Sequence, residues 1–90
     1  MKIEFDPNKR SKTLVERGLD FADAAGVFEG IHFTVLDDRQ DYIENRFITI
    51  GWLLGAQVVL VWTLRGDVYR IISMRKANDR EKELFAKNIA

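Results

Sequence analysis

The sequence predicts an α+β fold, with helices on one face of an antiparallel sheet of four to five strands, in the order βααββββα. Helical spacing with capping residues fills the first third of the chain. Stretches rich in β-branched and aromatic residues, separated by short turn signals, fill the middle, and a capped segment with a thin apolar face follows them. Strands grouped together in this way are typical of α+β domains.

The first third is predicted to form one strand and two helices. Residues 2–5 alternate polar and apolar, and Asp6-Pro7 then supplies an N-cap and a proline suited to a first helical position. The first helix covers residues 8–17 and stops at Gly18, because glycine readily adopts the left-handed conformation of a helix end. A second helix is predicted from Asp20 to near Gly30.

Four further strands are predicted at residues 31–36, 46–54, 57–64 and 68–75. Gly55-Ala56 predicts a type II′ hairpin turn between the second and third of them, and Arg65-Gly66-Asp67 predicts a three-residue loop before the fourth. Asn78, with Glu81 three residues later, predicts the capped start of a C-terminal helix.

Length and composition indicate one globular domain over residues 1–90, with 47% hydrophobic and 31% charged residues. Fourteen basic and fourteen acidic residues cancel, which argues against a strong hold on nucleic acid that is independent of sequence. Basic residues are concentrated at 65–82 and acidic ones at 37–44. The absence of cysteine excludes disulfide scaffolds, thiolate zinc sites and cysteine nucleophiles.

Several familiar kinds of site and location are not indicated. The start of the chain lacks the apolar run of a secretory signal, and the longest apolar stretch is too short to cross a bilayer, so we expect a cytoplasmic protein without a membrane partner. His32 has no second histidine with which to share a metal, and no glycine-rich phosphate loop is present, so we expect no cofactor. Asp37, Asp38 and Asp41 lack the spacing of a calcium loop and are interpreted as a solvated loop.

Arginines placed on predicted strands carry the most information about chemistry. Arg46 begins one strand, Arg70 lies within the last, and Arg75 ends it. A buried unpaired arginine is costly, so each must reach water, a carboxylate or a phosphate. Strict alternation places Arg70 and Arg75 on opposite faces unless the strand bulges, which limits any joint role. Salt bridges to Glu44, Asp67 or Glu81 are the structural alternative.

Blocks along nearly the whole chain resemble the BrnT family of toxins. The most specific is Arg70-Ile-Ile-Ser-Met-Arg-Lys-Ala77, and the order and spacing of the others support it. The other blocks are Phe5-Asp-Pro-Asn-Lys9, Arg17-Gly-Leu-Asp-Phe-x-x-Ala24, Val27-Phe28 and Glu44-x-Arg46-x-x-x-Ile50-Gly51.

The resemblance implies a RelE-like fold and a ribonuclease that stops translation. It also implies a BrnA-like antitoxin, which binds the toxin and through which alone DNA is contacted. RNA cleavage without a metal needs a base, an acid and cations on the phosphate. We therefore expect Arg46, Arg70 and Arg75 to clamp phosphate and Glu44 or Tyr69 to transfer a proton, with Lys9 assisting.

The chain departs from the family's usual residues at four positions. Tryptophan, asparagine, histidine and alanine are usual where Phe5, Thr13, Arg17 and Met74 stand. Replacement of the histidine by Arg17 removes a possible acid or base. The alternative hypothesis is therefore a catalytically inactive binding module that serves only as antitoxin partner or co-repressor, and a third is an unrelated structural domain. RNA cleavage by the purified protein distinguishes the ribonuclease from the inactive binding module.

Overall fold

The computed structural model describes residues 1–89; Ala90, the last residue of the predicted domain, lies outside the described residues. Five strands and three α-helices follow one another in the predicted order, which confirms the α+β class. The strands are β1 (Lys2–Glu4), β2 (Phe33–Asp37), β3 (Arg46–Leu53), β4 (Ala56–Arg65) and β5 (Val68–Lys76), and the helices are α1 (Pro7–Arg17), α2 (Ala24–Glu29) and α3 (Asp79–Ile89).

The sheet is mixed, and the prediction of a wholly antiparallel sheet was wrong. Its strand order is β1-β5-β4-β3-β2, and β2 to β5 form an antiparallel meander. The first strand instead lies parallel to the last, with Ile3 opposite Tyr69. Short turns between β3, β4 and β5 specify local antiparallel pairing, whereas the pairing of β1 with β5 joins the two ends of the chain and has no turn to signal it.

The predicted caps of α1 and α3 are confirmed. The Asp6 carboxylate accepts from the backbone N–H of Asn8 at 2.8 Å, and Gly18 ends α1 at φ 69°. Asn78 and Glu81 form a reciprocal capping box, in which the Glu81 N–H donates to Asn78 Oδ1 at 2.8 Å and the Asn78 N–H donates to Glu81 Oε1 at 2.9 Å. These contacts fix where both helices start.

Other local predictions needed correction. The predicted second helix is a 3-10 helix at Phe21–Asp23 followed by the six-residue α2. The β3–β4 turn is Leu54-Gly55, with φ of 49° and 83°, which is the left-handed pair of a type I′ turn. The β4–β5 loop has two residues, Gly66-Asp67, because Arg65 pairs with Val68.

Helices cover both faces of the sheet, contrary to the prediction of one. On one face, Phe21, Ala24 and Val27 pack on the large core together with Leu60 and Met74. We call this the α2 face. On the other, Phe85 of α3 packs against Ile50 and Val59. Because α3 buries this single side chain, it covers only part of its face and leaves the rest open.

Candidate active site

A bulge in β5 changes which side chains share a face of the sheet. Trp62 pairs with Ile71, but its neighbour Val61 pairs with Ser73, so Ile72 has no partner on β4. Ile71 and Met74 are both buried on the α2 face although they are three residues apart, a spacing that strict alternation does not allow. The alternation predicted for β5 therefore fails at Ile72.

The bulge brings Arg70 and Arg75 to the same face. Arg70 pairs with Thr63 and Arg75 with Val59. Because Thr63 and Val59 are four residues apart on one regular strand, they point to the same side, and so do their cross-strand partners. Val59 packs under α3, which makes this the face opposite α2. The sequence allowed a joint role only if the strand bulged, and it does.

Arg46 lies on this face as well. Phe47 pairs with Trp62, so one further step of the register sets Arg46 opposite Thr63, which pairs with Arg70. Arg46 and Arg70 thus flank Thr63 in one row across three strands. Adjacent strands are about 4.8 Å apart, so their backbones are about 10 Å apart. We call the side that carries Arg46, Arg70 and Arg75 the arginine face.

Two of these arginines are paired with carboxylates. Arg70 Nη1 lies 3.5 Å from Glu4 Oε1 on β1. Arg75 donates from Nη1 and Nη2 to the two Glu81 oxygens, at 2.7 Å each, which joins β5 to the start of α3. This hydrogen-bonded pair lowers the pKa of Glu81 and raises that of Arg75. Glu81 is accordingly a poor proton acceptor near neutral pH.

Arg46 is surrounded differently. Its guanidinium carbon lies 4.3 Å from the centre of the Tyr42 ring, in a cation–π contact. The Tyr42 hydroxyl donates to Asp37 Oδ2 at 3.1 Å, and Arg39 donates to both Asp37 oxygens at 2.8 Å. Hydrogen bonds, chiefly from Arg39, hold the pKa of Asp37 at about 2. The loop interpreted as solvated is therefore held by Asp37 and contacts Arg46 through Tyr42.

A comparison with protein families assigns the chain to a family. Residues 5–81 match the family model described as the ribonuclease toxin BrnT of type II toxin–antitoxin systems. The chain belongs to the BrnT family. The match spans all three arginines of the arginine face, and membership implies a protein antitoxin as partner. A comparison with curated proteins found no match.

The two proton-transfer candidates predicted for this BrnT chain lie apart from each other. Tyr69 stacks on Trp62, with ring centres 4.8 Å apart, and meets Phe28 edge-on, so its ring belongs to the α2 face. Glu44 precedes β3 by two residues and lies 3.5 Å from Arg65 Nη2. The structure thus brings Glu44, and not Tyr69, near the end of the arginine face where Arg46 lies.

Lys9 lies on α1 and faces the edge of β5. It lines a cavity of about 270 Å³ together with Lys12, Arg17 and Ser73. Arg17 donates from Nη1 to the Met74 carbonyl at 2.8 Å. The pairing of β1 with β5 ends at Arg70. Arg17 therefore satisfies the Met74 carbonyl on the part of β5 that β1 does not cover.

The sequence did not indicate Arg39 and Tyr42 as site residues. An acidic loop with one arginine and one tyrosine is ordinary in composition, and only its closure onto Asp37 distinguishes it. Within residues 1–89, no three side chains of the metal-binding types are grouped closely enough to hold an ion. None of the described helices is long and apolar enough to cross a membrane.

Proposed function

We propose that this chain is an endoribonuclease that needs no metal, stops translation, has the RelE-like architecture, and is neutralised by a BrnA-like antitoxin. One observation carries the proposal: the bulge at Ile72 gathers Arg46, Arg70 and Arg75 on one open face of a BrnT-family sheet. Guanidinium groups suit phosphate because their planar fork can donate two hydrogen bonds to one phosphate group.

The proposed reaction is an internal transfer at the RNA phosphate. A base takes the proton of the 2′-hydroxyl, the 2′-oxygen bonds to phosphorus, the bond from phosphorus to the 5′-oxygen breaks, and an acid protonates that oxygen. Arg46, Arg70 and Arg75 would neutralise the charge that gathers on the phosphate oxygens. Glu44 is the proposed base because it precedes Arg46 by two residues and pairs with Arg65, which lies on the arginine face of β4. Lys9 would hold a neighbouring phosphate from α1.

The test measures cleavage of single-stranded RNA by the purified protein in the presence of EDTA. We expect cleavage that fails on an RNA with 2′-deoxy sugars, since the attacking oxygen is then missing. Arg70→Ala should lower the rate at least tenfold. Arg10→Ala is the matched control, because Arg10 is also paired with a carboxylate, Asp20, but on α1 and away from the arginine face. Equal losses in both variants would reject a specific role for Arg70.

Translation and the antitoxin are tested in cells. Expression of the chain alone should slow growth and protein synthesis, and co-expression of a neighbouring gene for a ribbon-helix-helix protein should restore both. Normal growth with abundant soluble toxin would contradict the active-toxin proposal.

The second candidate is an inactive binding module that serves as antitoxin partner or co-repressor. It is favoured by the lowered pKa of Asp37 and Glu81, two carboxylates that lie beside the arginine face, because a lowered pKa makes each of them a weaker base. A folded protein that binds the antitoxin but leaves RNA intact, with or without ribosomes, would establish this candidate instead.

A further inference from the structure

We propose that Arg39 and Tyr42 are positioning residues that hold the Asp37 carboxylate away from Arg46 and so keep Arg46 available for an RNA phosphate. This inference rests on the proposed function of the arginine face. It concerns residues of the loop between β2 and β3 that the phosphate-clamp proposal itself does not use.

Asp37 is the carboxylate that the fold sets beside Arg46. The two residues are direct partners in the antiparallel β2–β3 pair and lie on the same face. Side chains in such positions have Cβ atoms about 4.5–5.5 Å apart, and opposite charges there normally attract. With no other contact in play, an ion pair between Asp37 and Arg46 would be the expected arrangement.

Asp37 is instead fully occupied by its own loop. Oδ1 accepts from the backbone N–H of Arg39 at 3.3 Å and from its Nε at 2.8 Å. Oδ2 accepts from Arg39 Nη2 at 2.8 Å and from the Tyr42 hydroxyl at 3.1 Å. A carboxylate offers about four acceptor positions, so these four bonds leave none for Arg46. The Asp37 side chain is also completely shielded from solvent, so it is fixed in place.

Arg46 is left with unused donors. It forms no ion pair within residues 1–89, and its Nε is buried without a hydrogen-bond acceptor there. The Tyr42 ring supports the guanidinium through its face and accepts no conventional hydrogen bond from it, so the N–H groups of Arg46 stay available. One loop residue, Tyr42, thereby occupies Asp37 with its hydroxyl and supports Arg46 with its ring.

This arrangement gives Arg46 a different role from its neighbours. A phosphate that binds Arg70 or Arg75 must compete with Glu4 or Glu81. A phosphate that binds Arg46 displaces no carboxylate and satisfies a donor that is otherwise unpaired. Arg46 is therefore the first anchor for the phosphate, and its availability depends on Arg39 and Tyr42.

The experiment measures binding of a fluorescent RNA oligonucleotide with 2′-O-methyl sugars, which cannot be cleaved, by anisotropy at low salt. In Arg39→Gln, Asp37 should turn to Arg46, and the dissociation constant should rise about tenfold. Adding Asp37→Asn should restore it to within about threefold of the wild type. Tyr42→Phe keeps the ring but loses the hydroxyl, and should weaken binding about threefold.

The matched control adds Asp38→Asn to Arg39→Gln. Asp38 is exposed. The double variant with Asp38→Asn has the same net charge as the double variant with Asp37→Asn, but it should not restore binding. Equal restoration by both would overturn the proposal in favour of a general charge effect, and unchanged binding in Arg39→Gln would overturn it directly. Melting curves establish which variants are folded. If the double variant is unfolded, the Tyr42→Phe binding result and the NMR readout test the proposal instead.

A second readout does not need RNA. The Nε–H signal of Arg46 in ¹⁵N NMR should shift and exchange more slowly in Arg39→Gln, because Asp37 then accepts from it, and the shift should vanish with Asp37→Asn. If the wild type fails to bind RNA, the proposed function fails while this readout still tests the contact. An Arg46 signal that is the same in the wild type and Arg39→Gln rejects the diversion of Asp37.

Discussion

The ion pair between Arg75 and Glu81 allows the catalytic and structural roles of Arg75 to be separated. Two variants break this pair from opposite ends: Arg75→Lys keeps a positive charge but loses the planar fork, and Glu81→Gln keeps Arg75 intact and removes its anchor. Hydrogen bonds to charged groups contribute about 1.5–3 kcal/mol when buried. The Arg75 side chain is 43% exposed and Glu81 19%, so solvent screening reduces this to about 1 kcal/mol.

Both variants should therefore lower the melting temperature by about 4–8 °C, the shift expected for about 1 kcal/mol in a domain of this size. Their activities should differ. Arg75→Lys should cleave RNA at least tenfold more slowly, which is about 1.4 kcal/mol or more of lost transition-state stabilisation. Glu81→Gln should cleave as fast as the wild type or faster, because Arg75 no longer has to leave a carboxylate to reach the phosphate.

The assay combines RNA cleavage under single-turnover conditions with thermal melting of the same samples. Full cleavage by Arg75→Lys refutes a role for the fork in catalysis. Equal losses of activity in the two variants, in proportion to their losses of stability, would show that Arg75 only anchors α3. The comparison depends only on these two single variants.

Three further predictions concern the fold. Gly51→Ala should lower the free energy of unfolding by about 1–3 kcal/mol, because its Cβ would lie 2.7 Å from Val27 Cγ1; Gly26→Ala, which meets nothing within 4 Å inside α2, should raise it by about 0.5–1 kcal/mol. Urea titrations that move both variants in one direction would contradict this reasoning. Asp37 has a pKa of about 2 in the folded protein, below its ordinary 3.8, so the stability it contributes is complete above about pH 4 and is lost as the pH falls through about 2. Melting temperatures from pH 5 to 2 should show this loss, and Asp37→Asn should flatten it; a slope unchanged in Asp37→Asn would disprove it. Phe85→Ala should destabilise by up to about 3–5 kcal/mol, with faster hydrogen exchange confined to α3, whose only buried residue it is. Exchange that accelerates equally in β4 would argue against this separation.

Local signals in the sequence predicted much of the fold. Asp6-Pro7 and Gly18 define α1 because each determines a backbone conformation within a few residues. The predicted strand bounds differ from the observed ones by at most two residues. The parallel pairing of β1 and the position of α3 could not be predicted, since both depend on contacts between distant parts of the chain. No spacing or turn residue encodes such a contact.

The candidate site could be predicted only in part. The three arginines were identified because charged side chains on strands need a partner. Their shared face was not, because a one-residue bulge reverses the facing of every later residue in β5. Tyr69 was predicted as a proton-transfer group because of its residue type, but its ring lies on the α2 face. The sequence therefore does not predict on which face of the sheet the side chains near a bulge lie.

Zero net charge and an anionic substrate are compatible in this molecule because three arginines share one face, while two of them, Arg70 and Arg75, each have a local carboxylate. A phosphate that enters gains contacts with Arg70 and Arg75 only as Glu4 and Glu81 give them up, so the net gain from each is small. Few counterions are then released overall, and affinity for random RNA stays low. Selectivity must come from geometry, that is, from a phosphate placed where Arg46 has unused donors and the paired arginines can exchange partners in the transition state.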